Sequence, residues 1–247
     1  MPAPELWLLA DSRLPTGGHA HSGGIEAAVR HGLVRAPADV ASWLAGRVPT
    51  TGLVTAAAAA AACALVGTPR ARGEDASAPV ARGVPSRGER SVDWAPWDTA
   101  ISARTPVAAL REVSRQQGRA MLRTVRAAWP AAAVDGLGTR PHQALVLGVA
   151  AAAAAGTPHD AAALAVHHLV GQVCSAAVRL LGLDPLALAG VHARALAEHG
   201  PVVGKASDAG TAAALADDPD LLPTATTPLP EVLAVLHARS EGALFAS

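Results

Sequence analysis

The spacing of apolar and polar positions along the chain has the period of α-helices. Apolar residues recur at intervals of three and four, and no stretch of the sequence alternates with the β-branched or aromatic enrichment of strands. Prolines that follow Thr105, Thr157 and Asp184 lie where a helix begins, directly behind a capping side chain. The fold class predicted is all-α. The predicted helices lie near residues 4–12, 23–32, 38–48, 51–66, 106–129, 141–155, 158–182, 185–199 and 230–240.

One long segment interrupts this pattern. Residues 67–98 are rich in Gly, Pro, Arg, Ser and acidic residues, with almost no aliphatic side chain before Trp94 and Trp97. Such a composition buries too little apolar surface to offset its ordering entropy, so we expect a flexible insertion loop. A linker between two domains is the alternative, but it would leave an N-terminal piece of under about 70 residues, which is marginal as an independent core. We therefore expect a single helical domain, residues 1–247, with this insertion inside it.

Two predicted helices have contrasting surfaces. The segment 158–182 is apolar nearly all round, which indicates a central, buried helix. The segment 106–129 carries a basic stripe of arginines four residues apart, namely Arg111, Arg115, Arg119 and Arg123. A solvated face is the simpler interpretation of this stripe. The sharper hypothesis is a docking surface for an acidic partner.

The amino-acid composition indicates which side chains form the core and excludes several classes of binding partner. Of the 247 residues 51% are hydrophobic but only 2% aromatic, so the core must consist of Ala, Leu and Val, which pack best where helices approach closely. The 20 basic and 20 acidic residues balance, which argues against a nucleic-acid or anionic-membrane binder. The scarcity of aromatics argues against base stacking. Lys205 is the only lysine, so a Walker-type phosphate loop is absent from the sequence.

Cysteine usage and hydropathy indicate a cytoplasmic protein. Cys63 and Cys174 are far apart and each lies in an apolar helical stretch, so we expect two small buried hydrophobes rather than a disulfide or a metal site. The first apolar run has no basic segment before it, which makes a signal peptide unexpected. The longest uncharged stretch, residues 48–69, is mostly Ala with interspersed Thr, Gly and Pro. A buried helix of a soluble protein therefore fits it better than a membrane span.

The chemically most distinctive segment is residues 11–26, with two glycine pairs and two histidines. His19 and His21 are weak candidates for a metal site, since imidazole suits zinc, copper or nickel but no carboxylate or thiolate lies in obvious register. The glycine pairs follow no predicted strand and lack GxGxxG spacing, so turns explain them better than phosphate binding. A helical metal-dependent hydrolase that uses this loop is the alternative function.

No arrangement for nucleophilic catalysis emerges from the sequence. Ser175 follows His167 and His168 by eight and seven residues, about two helical turns, which is too far for a hydrogen bond within one helix. The two histidines are therefore interpreted as satisfied core or interface side chains. We predict no catalytic residue, and the residue pattern by itself describes an interaction protein.

The segment from Leu8 to Ala27 resembles the N-terminal signature of the UreF family of urease accessory proteins, D-S-x-L-P-x-G-G-x-x-H-S-x-G-L/I-E. The signature positions carried over to this chain are Asp11, Pro15, Gly17, Gly18, His21, Ser22, Gly24 and Glu26. Later blocks resemble the family's S-x-x-Q-G-R helix, its R-P-H turn and an apolar helix with an arginine near its end. They supply Arg115, Gln117, Gly118, Arg119 and Arg179. Residues 181–184, Leu-Gly-Leu-Asp, depart from the P-L-G-Q often found there.

The resemblance implies an all-α fold of about nine to ten helices that forms a homodimer. It implies a non-catalytic role in urease maturation, in which the protein binds UreD (UreH in some organisms) and the GTPase UreG. This assembly would deliver nickel to apo-urease at the expense of GTP, and modulation of the UreG GTPase rate is a further hypothesis. No tightly bound cofactor is implied, because nickel is the delivered metal. The matching residues would serve the fold, the dimer or partner contacts rather than catalysis.

Overall fold

A computed structural model describes residues 4–15, 21–67, 92–130, 133–134 and 136–238. Its helices are α1 (Glu5–Ala10), α2 (Ile25–Arg30), α3 (Pro37–Arg47), α4 (Leu53–Val66), α5 (Ala95–Ala103), α6 (Ala108–Ala128), α7 (Gln143–Ala153), α8 (Pro158–Leu181), α9 (Pro185–Glu198), α10 (Gly200–Ala216) and α11 (Pro228–Ala238). Since α3 continues into α4 through a π-helical turn, Val48–Gly52, the described residues form ten α-helical segments and no strand. The all-α class and the helix number predicted from the sequence are confirmed.

Helix α8 begins as its sequence predicts. The Oγ1 atom of Thr157 accepts from the Asp160 backbone N–H at 3.2 Å, and the Asp160 carboxylate accepts from the Thr157 N–H at 2.8 Å. This reciprocal capping box satisfies two helix N–H groups that have no partner within the helix. At the start of α9 the Asp184 carboxylate accepts from the Leu186 N–H at 3.0 Å. Both predicted helix starts are confirmed.

The predicted start at Thr105 is wrong. Helix α6 begins at Ala108, and the Thr105 hydroxyl donates to the carbonyl of Ile101 at 2.9 Å. That carbonyl belongs to α5, a helix that the sequence pattern did not predict. Thr105 therefore closes the helix before it instead of opening the one after it.

The sequence pattern did not predict two of the helices, α5 and α10, and each omission has a physical reason. The end of the predicted insertion is ordered into α5 because Trp94 and Trp97 are both buried there, while residues 68–91 lie outside the described residues. Helix α10 contains glycines and a proline, which weaken its helical pattern. It forms nonetheless because it packs along α4. Tertiary packing overrides local propensity in both cases.

The core centres on α4, which contacts α7, α8 and α10. Its seven consecutive alanines, residues 56–62, are fully buried. A side chain at Gly148 of α7 would place its Cβ 2.2 Å from the Ala59 carbonyl oxygen, and one at Gly210 of α10 would lie 2.2 Å from that of Ala57. Helices thus meet backbone to backbone, as the small side chains of the sequence led us to expect.

Among the described residues, two helical segments are long and apolar enough to cross a membrane, Pro37–Val66 and Pro158–Leu181. In each, more than half of the most apolar window is buried inside the protein, so packing into the core accounts for the apolar character. Cys63 and Cys174 are free and buried, as predicted. Burial raises the pKa of the Cys63 thiol to about 12 and that of Cys174 to about 11, so both remain protonated.

Candidate functional site

Arg115 of α6 joins three segments of the chain. Its guanidinium donates to both carboxylate oxygens of Asp98 in α5, at 3.1 and 2.7 Å. It also donates to the Ser102 hydroxyl at 3.1 Å and to the Arg140 carbonyl at 2.6 Å. Such bidentate pairing with a carboxylate is the strongest geometry available to arginine. The side chain therefore fixes α5 and the turn before α7 onto α6.

His142, in the turn before α7, is fully buried beside this arginine. Its Nε2 lies 2.9 Å from the Ser102 hydroxyl, and its Nδ1 lies 2.9 Å from the Ser114 hydroxyl. Burial, reinforced by the positive charge of Arg115, lowers the pKa of His142 to about 4. The ring is neutral at pH 7, so one ring nitrogen donates and the other accepts. We call Asp98, Ser102, Ser114, Arg115 and His142 the arginine–histidine junction.

Gly118 brings the two sequence blocks of this junction together. A Cβ at this position would lie 2.0 Å from the Pro141 carbonyl oxygen and 3.0 Å from the Gln143 amide nitrogen. The neighbouring Gln117 is buried. The Q-G-R block and the R-P-H block, separate in sequence, thus form one packed contact in which a glycine is required.

The predicted basic stripe is divided by the fold. Arg111 donates to the carbonyls of Thr105 and Pro106 at 2.7 and 2.8 Å, and Arg115 is held in the arginine–histidine junction. Arg119 and Arg123 are exposed. Half of the stripe therefore makes hydrogen bonds within the fold, and Arg119 and Arg123 form its exposed half. That an acidic partner docks on this stripe stays a prediction.

The first part of the N-terminal signature contacts α6. Asp11 pairs with Arg13 at 2.6 Å, and this hydrogen-bonded pair lowers the pKa of the carboxyl to about 2. The carbonyl of Pro15, an exposed residue, accepts from the Thr124 hydroxyl of α6 at 3.0 Å. The signature residues Gly17 and Gly18 lie outside the described residues, as does His19.

The second part of the signature is buried and organises α2. The Ser22 hydroxyl accepts from the N–H groups of Gly24 and Glu26 at 3.2 and 3.4 Å. Gly24 has a φ of 81°, a left-handed conformation that favours glycine. The buried Glu26 carboxylate lies 3.6 Å from Nε2 of His237 and so links α2 to α11. These residues are buried and hold α2 in place within the fold.

The histidine candidates for a metal are placed only in part. The side chain of His21 is buried, with 4% of its surface exposed. Within the described ranges, no group of three or more His, Cys, Asp or Glu side chains has an arrangement suited to a metal ion.

A groove of about 450 Å³ separates α8, α9 and residues 10–12. At its wall Nε2 of His168 donates to the Leu9 carbonyl at 2.7 Å and Nε2 of His167 donates to the Ala10 carbonyl at 3.2 Å. Burial lowers the pKa of His168 to about 4. Both histidines therefore tie α1 to α8, as the interpretation of satisfied side chains predicted. Arg179 lies at the rim of the groove and is exposed.

Sequence reasoning missed three members of the arginine–histidine junction. Asp98 and Ser102 belong to α5, which was not predicted. Ser114 is the serine of the S-x-x-Q-G-R pattern, so the motif itself contained the signal. Ser114 and Gly118 lie four residues apart on α6, and both contact the distant turn at Pro141 and His142. Only the tertiary structure shows this contact.

These features define a class: an all-α protein in which the matched sequence blocks build junctions between helices. Comparison with known proteins identifies the family. The UreF family model matches residues 34–196. The chain therefore belongs to the UreF family of urease accessory proteins, as its sequence motifs indicated.

Relatives of this family match nearly the whole chain. The urease accessory protein UreF of Mycolicibacterium vanbaalenii is 41% identical over 244 residues, which cover 98% of this chain and 97% of the relative. UreF of Mycobacterium marinum is 39% identical over 242 residues, with the same coverage. UreF of Mycobacterium bovis BCG Pasteur is 42% identical over 181 residues, 73% of this chain and 74% of the relative.

Proposed function

We propose that this protein acts in urease maturation by bridging UreD (UreH) and the GTPase UreG, so that nickel is inserted into apo-urease at the expense of GTP. The observation that carries this proposal is the near full-length similarity to proteins named urease accessory protein UreF. Nickel is the cargo of the assembly and is not held as a tightly bound cofactor.

The protein works through binding rather than through a catalytic centre of its own. The polar side chains of the arginine–histidine junction are occupied by one another and by backbone carbonyls. The α8 histidines donate to backbone carbonyls of α1. These groups preorganise the helices. An effect on the GTPase rate of UreG would then arise from contact with UreG.

The exposed residues in the family blocks and directly beside them are available for partner contacts. Arg119 and Arg123 project from α6, Arg179 lies at the α8–α9 groove, and Pro15 and the Asp11–Arg13 pair precede α2. We assign the partner or dimer contacts to these residues, and the fold-defining roles to the buried ones. The protein is further proposed to be a cytoplasmic homodimer that binds neither nucleic acid nor membranes.

Affinity capture from cells that produce the full-length chain together with UreD and UreG tests the bridge. A complex of all three proteins is the expected result, and its formation should be required for urease activity in a host that lacks its own UreF. If neither partner is retained, the proposed bridge is wrong. GTP turnover by UreG, measured with and without the protein, then shows whether the rate changes.

Direct contact with nickel is tested separately. Nickel titration of the His19→Ala/His21→Ala double variant should match that of the unaltered protein if the metal passes without using these side chains. A lost binding step would instead place nickel on the histidine loop.

A further inference from the structure

The side chain of Arg47, the last residue of α3, is buried without the partners that a guanidinium requires. Only 8% of its surface is exposed. Its Nε and Nη1 atoms are enclosed, and no hydrogen-bond acceptor among the described residues reaches either of them. An unsatisfied buried donor destabilises a fold by about 1–3 kcal/mol, and more when it is charged. A missing acceptor is therefore the expected explanation for this geometry.

Arg47 borders a cavity of about 150 Å³, several times the volume of one water molecule. Burial lowers its pKa to about 10, so the side chain remains a cation at neutral pH. Gly24 of the N-terminal signature lies against Nη1, which would be 3.4 Å from a Cβ at that position. The left-handed glycine thus leaves room beside the guanidinium.

The charged side chains around the cavity do not balance. Arg104 also lines it, and its guanidinium donates to four backbone carbonyls, which are neutral acceptors. Glu231 of α11 supplies one negative charge but makes no ion pair with Arg47 within 4.0 Å in the described structure. The neutral His168 adds none. Among the described side chains that line the cavity, two arginines face one glutamate, which leaves one positive charge uncompensated.

We propose that this cavity binds a small monovalent anion, of the size of chloride or formate, which accepts hydrogen bonds from Arg47. Such an anion would satisfy the guanidinium donors and neutralise the excess charge in one step. The site is independent of the proposed bridging of UreD and UreG, because its lining comes from the signature loop before α2, the end of α3 and the core-facing sides of α4 to α8 and α11.

A π-helical turn, Val48–Gly52, directly follows Arg47 and lies next to the proposed anion site. The carbonyl of Arg47 accepts from the Thr50 hydroxyl at 3.2 Å, which helps to satisfy a backbone group at this irregular turn. π-turns often occur at functional positions of helices. The turn follows the end of α3, where Arg47 lies beside Gly24 of the N-terminal signature, so the anion would link the signature loop to the continuous helix formed by α3 and α4.

Chloride NMR line width on the full-length protein tests the proposal. The unaltered protein should broaden the chloride signal. Added formate should displace the chloride, so the broadening should decrease with formate concentration until the site is saturated. In Arg47→Met the apparent affinity should fall about tenfold or more, the contribution of a hydrogen bond to a charged group. Arg126→Met, which removes the same charge from an exposed position, is the matched control and should retain the effect.

A second measurement does not depend on any variant folding. Crystals of the unaltered protein soaked in bromide should show an anomalous peak within hydrogen-bonding distance of Nε or Nη1 of Arg47. Ordered water alone in the cavity would overturn the proposal. Equal line broadening by the unaltered protein and by Arg47→Met would do the same.

Discussion

Arg115 and Arg47 are both withdrawn from solvent on long helices, but their surroundings differ. Arg115 has a carboxylate, a hydroxyl and a carbonyl as acceptors. Arg47 has none for its Nε and Nη1 among the described residues. A paired buried charge stabilises the contact it makes, whereas an unpaired one destabilises the fold until something binds it. The difference separates a region built for rigidity from one built to accept a ligand.

The largest effect is expected from filling the contact beneath the arginine–histidine junction. In Gly118→Ala the new Cβ would meet the Pro141 carbonyl, a backbone atom that cannot move aside cheaply. We expect the free energy of unfolding to fall by about 3 kcal/mol or more. Gly204→Ala is the matched control, because nothing lies within 4 Å of its Cβ. Denaturant unfolding measures both, and equal stability of the two variants would contradict the close contact.

Exchanging the two arginines for methionine tests the comparison directly. Arg115→Met leaves the Asp98 carboxylate half-buried without its partner, so we expect a loss of about 2–3 kcal/mol of unfolding free energy. Arg47→Met removes an uncompensated charge, and in a buffer whose only anion is bulky it should leave stability unchanged or higher. Thermal and denaturant unfolding decide this. Similar losses of unfolding free energy in both variants would contradict the proposed difference between the paired Arg115 and the unpaired Arg47.

Acid should weaken the arginine–histidine junction through the neutral His142, and the contact between α1 and α8 through the neutral His168. The pKa of His142 and of His168 is about 4 in the folded protein and near 6.5 when unfolded, so the unfolded state binds more protons between these values. Stability is full above pH 6.5 and falls as the pH drops towards 4, by about 2 kcal/mol per histidine at pH 5. His142→Gln should remove about half of this slope in urea titrations. An unchanged slope would rule out His142 as its source.

The smallest effect on stability is expected at the exposed arginines. Arg119→Gln with Arg123→Gln should change the free energy of unfolding by less than about 0.5 kcal/mol, because neither side chain is buried. Capture of UreD or UreG should nevertheless weaken if this pair contacts a partner. Arg126→Gln, exposed near the end of the same helix, is the control for charge alone. Intact capture by the double variant would remove α6 from the partner surface.

Local signals predicted much of the fold, because proline, capping residues and apolar spacing act within a few residues. They failed for α5, whose helix depends on the burial of Trp94 and Trp97, and for α10, whose glycines and proline obscure its pattern. Sequence motifs identified Gly118 and Arg115 as notable but could not show that they meet Pro141 and Asp98. Arg47 carried no motif signal at all, since a missing partner is visible only in three dimensions.

The alanine-rich centre of α4 has a further consequence for how the molecule can move. Alanine loses no side-chain conformational entropy on burial, so this helix is packed without freezing any rotamer. The same property removes a source of adaptability, because there is no torsion angle whose change could absorb a displacement of α7 or α10. A shift imposed on one of these helices would therefore pass to its neighbours as a rigid-body movement of backbones.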